Sequence, residues 1–293
     1  MNTPLGRKQK DKSMARQVTA LRRAQATSDG AGVAIQRVVG FGDAALDPLL
    51  MLDELRSEHR EDFAAGFPPH PHRGMQTLTY MKHGGIAHED SQGNRGEIRS
   101  GGLQWMSAGR GIIHSEMPTQ DSAGLHGFQL WVNLPAAEKL GAPRYRDIEG
   151  AALPRLAGDG FEAALLAGDW HLGDVTGAGA LPELTPQASL ADLTLAPGAT
   201  VTVAAEDGEN LVAYLYDGAL AGIGAQGVSR GHLLVAAGDG AWTLAAGSAG
   251  AGLLVLRGRP LCEPVVHYGP FVMNTREEIE QALAQYRDGT FLD

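Results

Sequence analysis

Two short stretches hold the side chains best suited to chemistry. GFPPHPHRG (66–74) carries His70 and His72, and GIIHSEMP (111–118) carries His114 and Glu116. Residues two apart on a β-strand point to the same face, so each pair can converge on one point. Two such pairs, about forty residues apart in sequence, can face each other inside a small barrel, offering three imidazoles and one carboxylate. That mixed N/O set suits Fe(II), Mn, Ni, Cu or Zn, and the lack of thiolate excludes an Fe–S cluster. Spacing alone leaves a second reading open, in which the pairs are surface imidazoles in turns. Context favours the metal. Pro68, Pro69 and Pro71 stiffen the chain around the first pair, and the apolar Ile112 and Ile113 lead into the second.

Six of the ten histidines, namely His59, His70, His72, His83, His88 and His114, lie within 56 residues. His83 and His88 flank a Gly-Gly turn and are expected to be exposed. His59 sits in the charged RSEHRED and is expected to be solvated. His126, His171, His232 and His267 have no partner at ligand spacing and read as structural, and Cys262 reads as a packing residue. Neither GxSxG nor a Walker loop is present.

The elements that must position these residues are short strands. AGVAIQRVVG (31–40) alternates apolar and polar positions. From Met75 to Leu134 strand-like runs recur between glycine turns, as expected of a β-sandwich or barrel. A second block, from about Phe161 to Leu256, is poor in charge. Only NTREEIEQALAQYRDG (274–289) reads as helix, capped by Asn274 or Thr275 and closed by Gly289. TLTYMKHGGIAHEDSQG (77–93) can be laid without a gap on LVAYLYDGALAGIGAQG (211–227), matching Tyr80 to Tyr214, Gly84 to Gly218, Ala87 to Ala221, Gln92 to Gln226 and Gly93 to Gly227. Two similar β-domains follow. Extended back, the register sets His70 on Ala204 and His72 on Glu206. After a gap it sets His114 on Thr243 and Glu116 on Ala245. A metal would then belong to the first domain alone. The division expected is a disordered basic leader over 1–16, a metal-binding domain over 17–145 and a degenerate one over 146–293.

Charge narrows the partners. Residues 1–23 are +6 and the rest is −16, summing to −10. A body this acidic excludes direct nucleic-acid binding, so any regulatory role would run through a protein partner. One cysteine rules out an internal disulfide. The basic N-terminus has no apolar run behind it, and no stretch is apolar enough for a membrane helix. A cytoplasmic protein is the expectation.

LDEL (52–55), GFPPHPHRG, TLTY, HEDSQGN, GGLQWMSAGRGIIHSEMP and GPFVMNTREEIEQA together resemble the pirins, a branch of the cupin superfamily. The resemblance runs from about residue 31 to the C-terminus and is densest over 52–118. It implies an all-β bicupin of two antiparallel β-barrels with a C-terminal helix. It also implies one metal, usually iron, held by His70, His72, His114 and Glu116, and an empty second barrel. Many pirins have Glu where this chain has Gln76, which is therefore expected to act only from behind the ligands, orienting one of them or a bound water. Several pirins are similar in activity to quercetin 2,3-dioxygenase, which opens a flavonol with O₂ and releases carbon monoxide. That implies a small phenolic substrate, O₂ as co-substrate and Glu116 as base. Other pirins are redox-sensitive regulators that bind a partner protein, which is the alternative expectation.

Overall fold

The structure, a computed structural model, describes residues 15–182, 184, 188–224 and 227–293. Residues 1–14 of the expected leader, and Gln226 of the internal repeat, lie outside the described residues. The alternating runs of the first half form β1 (Gln17–Arg23), β2 (Gln25–Asp29), β3 (Val33–Val39), β4 (Leu49–Ser57), β5 (Phe67–His72) and β6 (Met75–His83). They continue as β7 (Gly85–Asp90), β8 (Arg95–Arg99), β9 (Leu103–Ser107), β10 (Ile112–Pro118), β11 (Leu125–Asn133) and β12 (Arg144–Ile148). A seven-stranded sheet in the order β12-β9-β6-β11-β4-β3-β2 faces a four-stranded sheet in the order β5-β10-β7-β8. All pairings in these two sheets are antiparallel. The expected all-β pair of barrels with one C-terminal helix is what the chain forms.

The second half repeats the large sheet strand for strand. Its order is β1, His232–Ala237, Asn210–Leu220, Trp242–Gly258, Ala188–Leu195, Phe161–Ala167 and Arg155–Gly158. These occupy the places of β12, β9, β6, β11, β4, β3 and β2. The leading strand of each half is therefore exchanged: β1 closes the second sheet, and β12, which leads into the second half, closes the first. This corrects the division at both ends. Residues 17–23 serve the second domain, and β12 crosses the expected boundary. Arg16, expected in a disordered leader, is only 3% exposed, because its guanidinium donates to the carbonyls of Glu206, Glu209 and Gly240.

The domains meet through the outer faces of these sheets. On β6 the even positions Leu78 and Tyr80 join a core shared with Leu190, Val212 and Leu254, all nearly inaccessible. Each such aliphatic side chain contributes about 1.5–3 kcal/mol by leaving water. Two tyrosines tie the faces together reciprocally. Tyr80 donates to Asp192 at 2.7 Å, and Tyr214 donates to Glu54 at 2.5 Å. The pairing rows Tyr80–Phe128–Glu54 and Tyr214–Leu254–Asp192 are equivalent, so the interface is two-fold in kind.

The C-terminus returns to the first domain. The helix α1 (Arg276–Asp288) begins at a capping box of Thr275 and Glu278 and ends at left-handed Gly289. Ahead of it, Phe271–Met273 lies against the turn after His72. Gly74 has φ +77°, and a Cβ there would meet Val272 O at 2.0 Å, so only glycine permits the approach. Lys139, buried, donates to Gly74 O, Asn133 Oδ1 and Val272 O, clamping turn and tail together. Arg73 reaches Gln285 and Phe291 from the same turn.

Candidate functional site

Strands β5 and β10 are antiparallel neighbours, with His72 opposite Ile112 and His70 opposite His114. The pairing brings the three imidazoles together: one ring nitrogen from each of His70, His72 and His114 lies within 4.8 Å of the others. His70 Nδ1 sits 2.8 Å from Pro68 O, which puts its proton on Nδ1 and leaves Nε2 free to ligate. His72 and His114 are 1% and 2% exposed. Neither ring nitrogen of His72 nor Nε2 of His114 has a hydrogen-bond partner of good geometry, the Pro270 carbonyl making only a weak approach to the His72 ring. Buried polar atoms without partners are costly, roughly 1–3 kcal/mol each. A cation between them would take one nitrogen of each ring and remove that cost at His114 and at one nitrogen of His72, so these residues fit a metal. Burial first, then the neighbouring His70, holds His72 well below the usual imidazole range. Burial, followed by His72, His70 and His88, does the same to His114. Both are thus neutral at pH 7, the state a ligand needs.

Glu116 is buried two residues past His114, outside that three-histidine cluster. Its Oε1 accepts from Thr79 at 2.7 Å and its Oε2 from Gln129 at 3.2 Å. It lines the same cavity as His70 and His72.

Two readings of the sequence are overturned here. His88 is buried, not exposed: it lies opposite Glu116 on β7, with its side chain fully covered. Its Nε2 is 3.1 Å from Asp90 Oδ2 and its Nδ1 is 3.3 Å from His114 Nδ1. With His88 donating from Nε2 to the carboxylate, its Nδ1 accepts from His114, which leaves His114 Nε2 as the free lone pair. The HED spacing carries the same i, i+2 signal as HPH and HSE; the adjacent glycine turn obscured it. Gln76 is the second correction. It is fully buried on the opposite face of β6 from the cavity, accepting from Trp105 Nε1 at 2.9 Å. It cannot act from behind the ligands, because the left-handed turn at Gly74 breaks the strand phase after His72.

The other histidines divide. His59 and His83 are exposed as expected. His126 is structural, bonded to Glu54 at 2.9 Å. His267, read as structural, instead stacks on Phe41 at 3.8 Å with planes 10° apart, at the wall of the cavity. Cys262 is exposed rather than packed.

That cavity holds about 660 Å³. One wall is aromatic: Trp131 meets His72 edge-on at 5.0 Å, Phe41 meets Trp131 at 5.9 Å, and His267 follows. Its far side carries Arg37, whose Nε and Nη2 donate to both oxygens of the buried Asp53 at 2.9 and 2.7 Å. Arg37 Nη2 also donates to Asp29 at 2.7 Å. Nothing in the sequence linked Phe41, His267, Arg37 and Asp53 to the histidines. Their meeting depends on strand order and on the returning C-terminus.

The second domain departs in register from the expected repeat. Thr200–Val203 pairs with the start of Trp242–Gly258, as β5 pairs with β10. Val203 opposite Trp242 matches His72 opposite Ile112, and Val201 opposite Leu244 matches His70 opposite His114. The ungapped register had reached Ala204 and Glu206 because residues 204–209 form a longer connection than Arg73-Gly74. Valine and leucine, and Ala246 in the place of Glu116, fill the ligand positions.

Comparison with known proteins gives a consistent picture. The Pirin family model matches residues 32–132, and the model of the pirin C-terminal cupin domain matches residues 190–292. A Pseudomonas aeruginosa protein named "Putative quercetin 2,3-dioxygenase" is 46% identical over 278 residues, spanning 94% of this chain and 97% of its own. A pirin-like protein of Caulobacter vibrioides is 39% identical over 280 residues, spanning 94% and 99%. The crystal structure of a quercetin 2,3-dioxygenase from Acinetobacter baumannii superposes with a TM-score of 0.85 at 29% identity, covering 95% of this chain and 99% of that one. No described helix is long and apolar enough to cross a membrane.

Proposed function

The chain belongs to the pirin family, and from that premise we propose that it is a metal-dependent dioxygenase that opens the ring of a flavonol or related phenolic enol with O₂. The observation that carries this reading is a cluster of three imidazoles, with buried nitrogens of His72 and His114 left without hydrogen-bond partners, of which His70 and His72 line an aromatic-walled cavity of about 660 Å³. A metal that only reported redox state to a partner protein would need no chamber of that size.

In this reading His70, His72 and His114 supply nitrogen ligands and Glu116 an oxygen ligand. Iron(II) is the first choice, and Mn, Ni, Cu or Zn suits the same set. Such an ion supplies Lewis acidity toward a substrate oxygen and a route for electrons to O₂. The chain does the rest. Trp131 and Phe41 stack the planar rings and exclude water. Glu116 takes the hydroxyl proton, and Thr79 and Gln129 hold its carboxylate in line. Both atoms of O₂ enter the ring-opened product, and one ring carbon leaves as carbon monoxide.

The test is to load the protein anaerobically with Fe(II), Mn(II), Ni(II), Cu(II) or Zn(II) in turn, add O₂ and a flavonol, and follow flavonol absorbance with carbon monoxide. One carbon monoxide per flavonol is expected with at least one redox-active metal, and Glu116→Ala should abolish it. Absence of turnover with every metal would discard the dioxygenase.

A further inference from the structure

The inner face of the large sheet carries an unbroken polar row. Arg37 on β3 lies opposite Asp53 on β4, Asp53 opposite Gln129 on β11, and Gln129 opposite Thr79 on β6. At one end Thr79 and Gln129 hold Glu116, at the other Arg37 is held by Asp53 and Asp29. The second domain shows that the sheet has no need of such a row. Its equivalent positions, by the same pairings, are Leu165, Ala191, Val255 and Ala213, all buried in an apolar core. Polar groups kept inside a barrel cost stability unless they are hydrogen-bonded, and here three of the row, Arg37, Asp53 and Gln129, line the cavity that reaches the histidines.

Chemistry at the far end is specific. Two carboxylates face one guanidinium, so the group carries a net negative charge and repels an anionic ligand. Arg37 spends Nε and Nη2 on those carboxylates, and Nη1 has no protein acceptor among the described residues. A neutral hydroxyl suits this arrangement, since it can donate to Asp29 or Asp53 and accept from Arg37. Two strand spacings, roughly 10 Å, separate Gln129 from Arg37. A three-ring phenol can span that length, and a single-ring one cannot.

We propose that Arg37, Asp53 and Asp29 form a second binding subsite, which selects an uncharged, extended polyphenol bearing adjacent hydroxyls on the ring farthest from the histidines. The inference rests on the reading that a phenolic or enolic oxygen is taken at the histidine cluster, but not on turnover. Its test therefore uses the full chain loaded with Zn(II), which does no oxygen chemistry, and measures binding by calorimetric titration. Two flavonols are compared that share the 3-hydroxyl, one with two adjacent hydroxyls on the far ring and one with none. The hydroxylated ligand is expected to bind at least tenfold more tightly, in line with the loss when a buried polar site is left without its partner. Asp29→Ala, at an exposed position, and Arg37→Lys, which keeps the charge but not the fork, should each shrink that gap to about threefold or less. Metal content and circular dichroism verify that the variants are folded. Equal affinity for the two ligands, failure of both to bind, or a gap that survives in both variants would overturn the subsite. Iron-loaded protein that turns over flavonol without discriminating would sink this inference alone. Discrimination on zinc without turnover on any metal would sink only the dioxygenase.

Discussion

Set side by side, the two barrels share a sheet order, an interface row and a tyrosine reaching into the other domain, yet differ at the few positions that matter for chemistry. Where the first has His70, His72, His114 and Glu116, the second has Val201, Val203, Leu244 and Ala246. Where the first sets Arg37, Asp53, Gln129 and Thr79 in a row across its large sheet, the second has Leu165, Ala191, Val255 and Ala213. The apolar set packs and contributes stability by burial. The polar set carries unpartnered nitrogens, a desolvated carboxylate and a void. A fold that can be filled this way, but in one copy is not, has kept the costlier interior for a ligand.

The largest expected effect breaks the comparison at the ligands. Native protein should carry about one metal per chain, all of it in the first barrel. His72→Ala or His114→Ala should bring elemental analysis close to zero, whereas Leu244→Ala should change stability but not metal content. Two metals per chain, or full occupancy in both histidine variants, would show that the site lies elsewhere.

A smaller effect sharpens it one layer out. Asp90→Ala or His88→Phe leaves all four proposed ligands intact and removes what fixes His114's tautomer. Metal affinity in competition with a chelator should fall about 10–100-fold, and the absorption bands of a cobalt(II)-loaded sample should shift. Unchanged affinity and spectrum would reduce His88 and Asp90 to packing.

The mildest effect is in pH. His72 and His114 have folded pKa values below the unfolded 6.5, so both states are neutral above that value and these groups add no pH dependence there. As pH falls below 6.5 the unfolded chain binds protons that the folded chain refuses, and stability is lost toward the folded pKa values. For metal-free protein the loss should approach about 1.4 kcal/mol per pH unit for each histidine. Denaturant unfolding at pH 7.5, 6.5 and 5.5 should show it, and amide exchange should quicken in β5 and β10 but not in Thr200–Val203. A flat profile between 6.5 and 5.5 would mean that both imidazoles titrate normally.

What could be read from the sequence was whatever obeys local periodicity. HPH and HSE are legible as convergent pairs because a strand repeats every two residues, and the matching tyrosines and glycines are legible because two copies of one turn need them. Gln76 was misread because its role was carried over from the resemblance alone; past the left-handed turn at Gly74 it faces Trp105 instead of the cavity. His88 and Asp90 were missed although their spacing is that of the ligands, since a neighbouring glycine pair suggested a surface turn. Arg37, Asp53, Phe41 and His267 were out of reach: they lie far from the histidines in sequence, and only the order of strands unites them.

The exchange of β1 and β12 has one more implication. Each barrel is completed by a strand that the chain lays down on its way into the other, and the last helix returns to cover the first. A truncation that keeps one half therefore keeps an unfinished sheet with a bare edge, prone to sticking to its neighbours. The second half, apolar at the positions of the ligands, therefore has a role that needs no chemistry: the two halves complete one another's sheets.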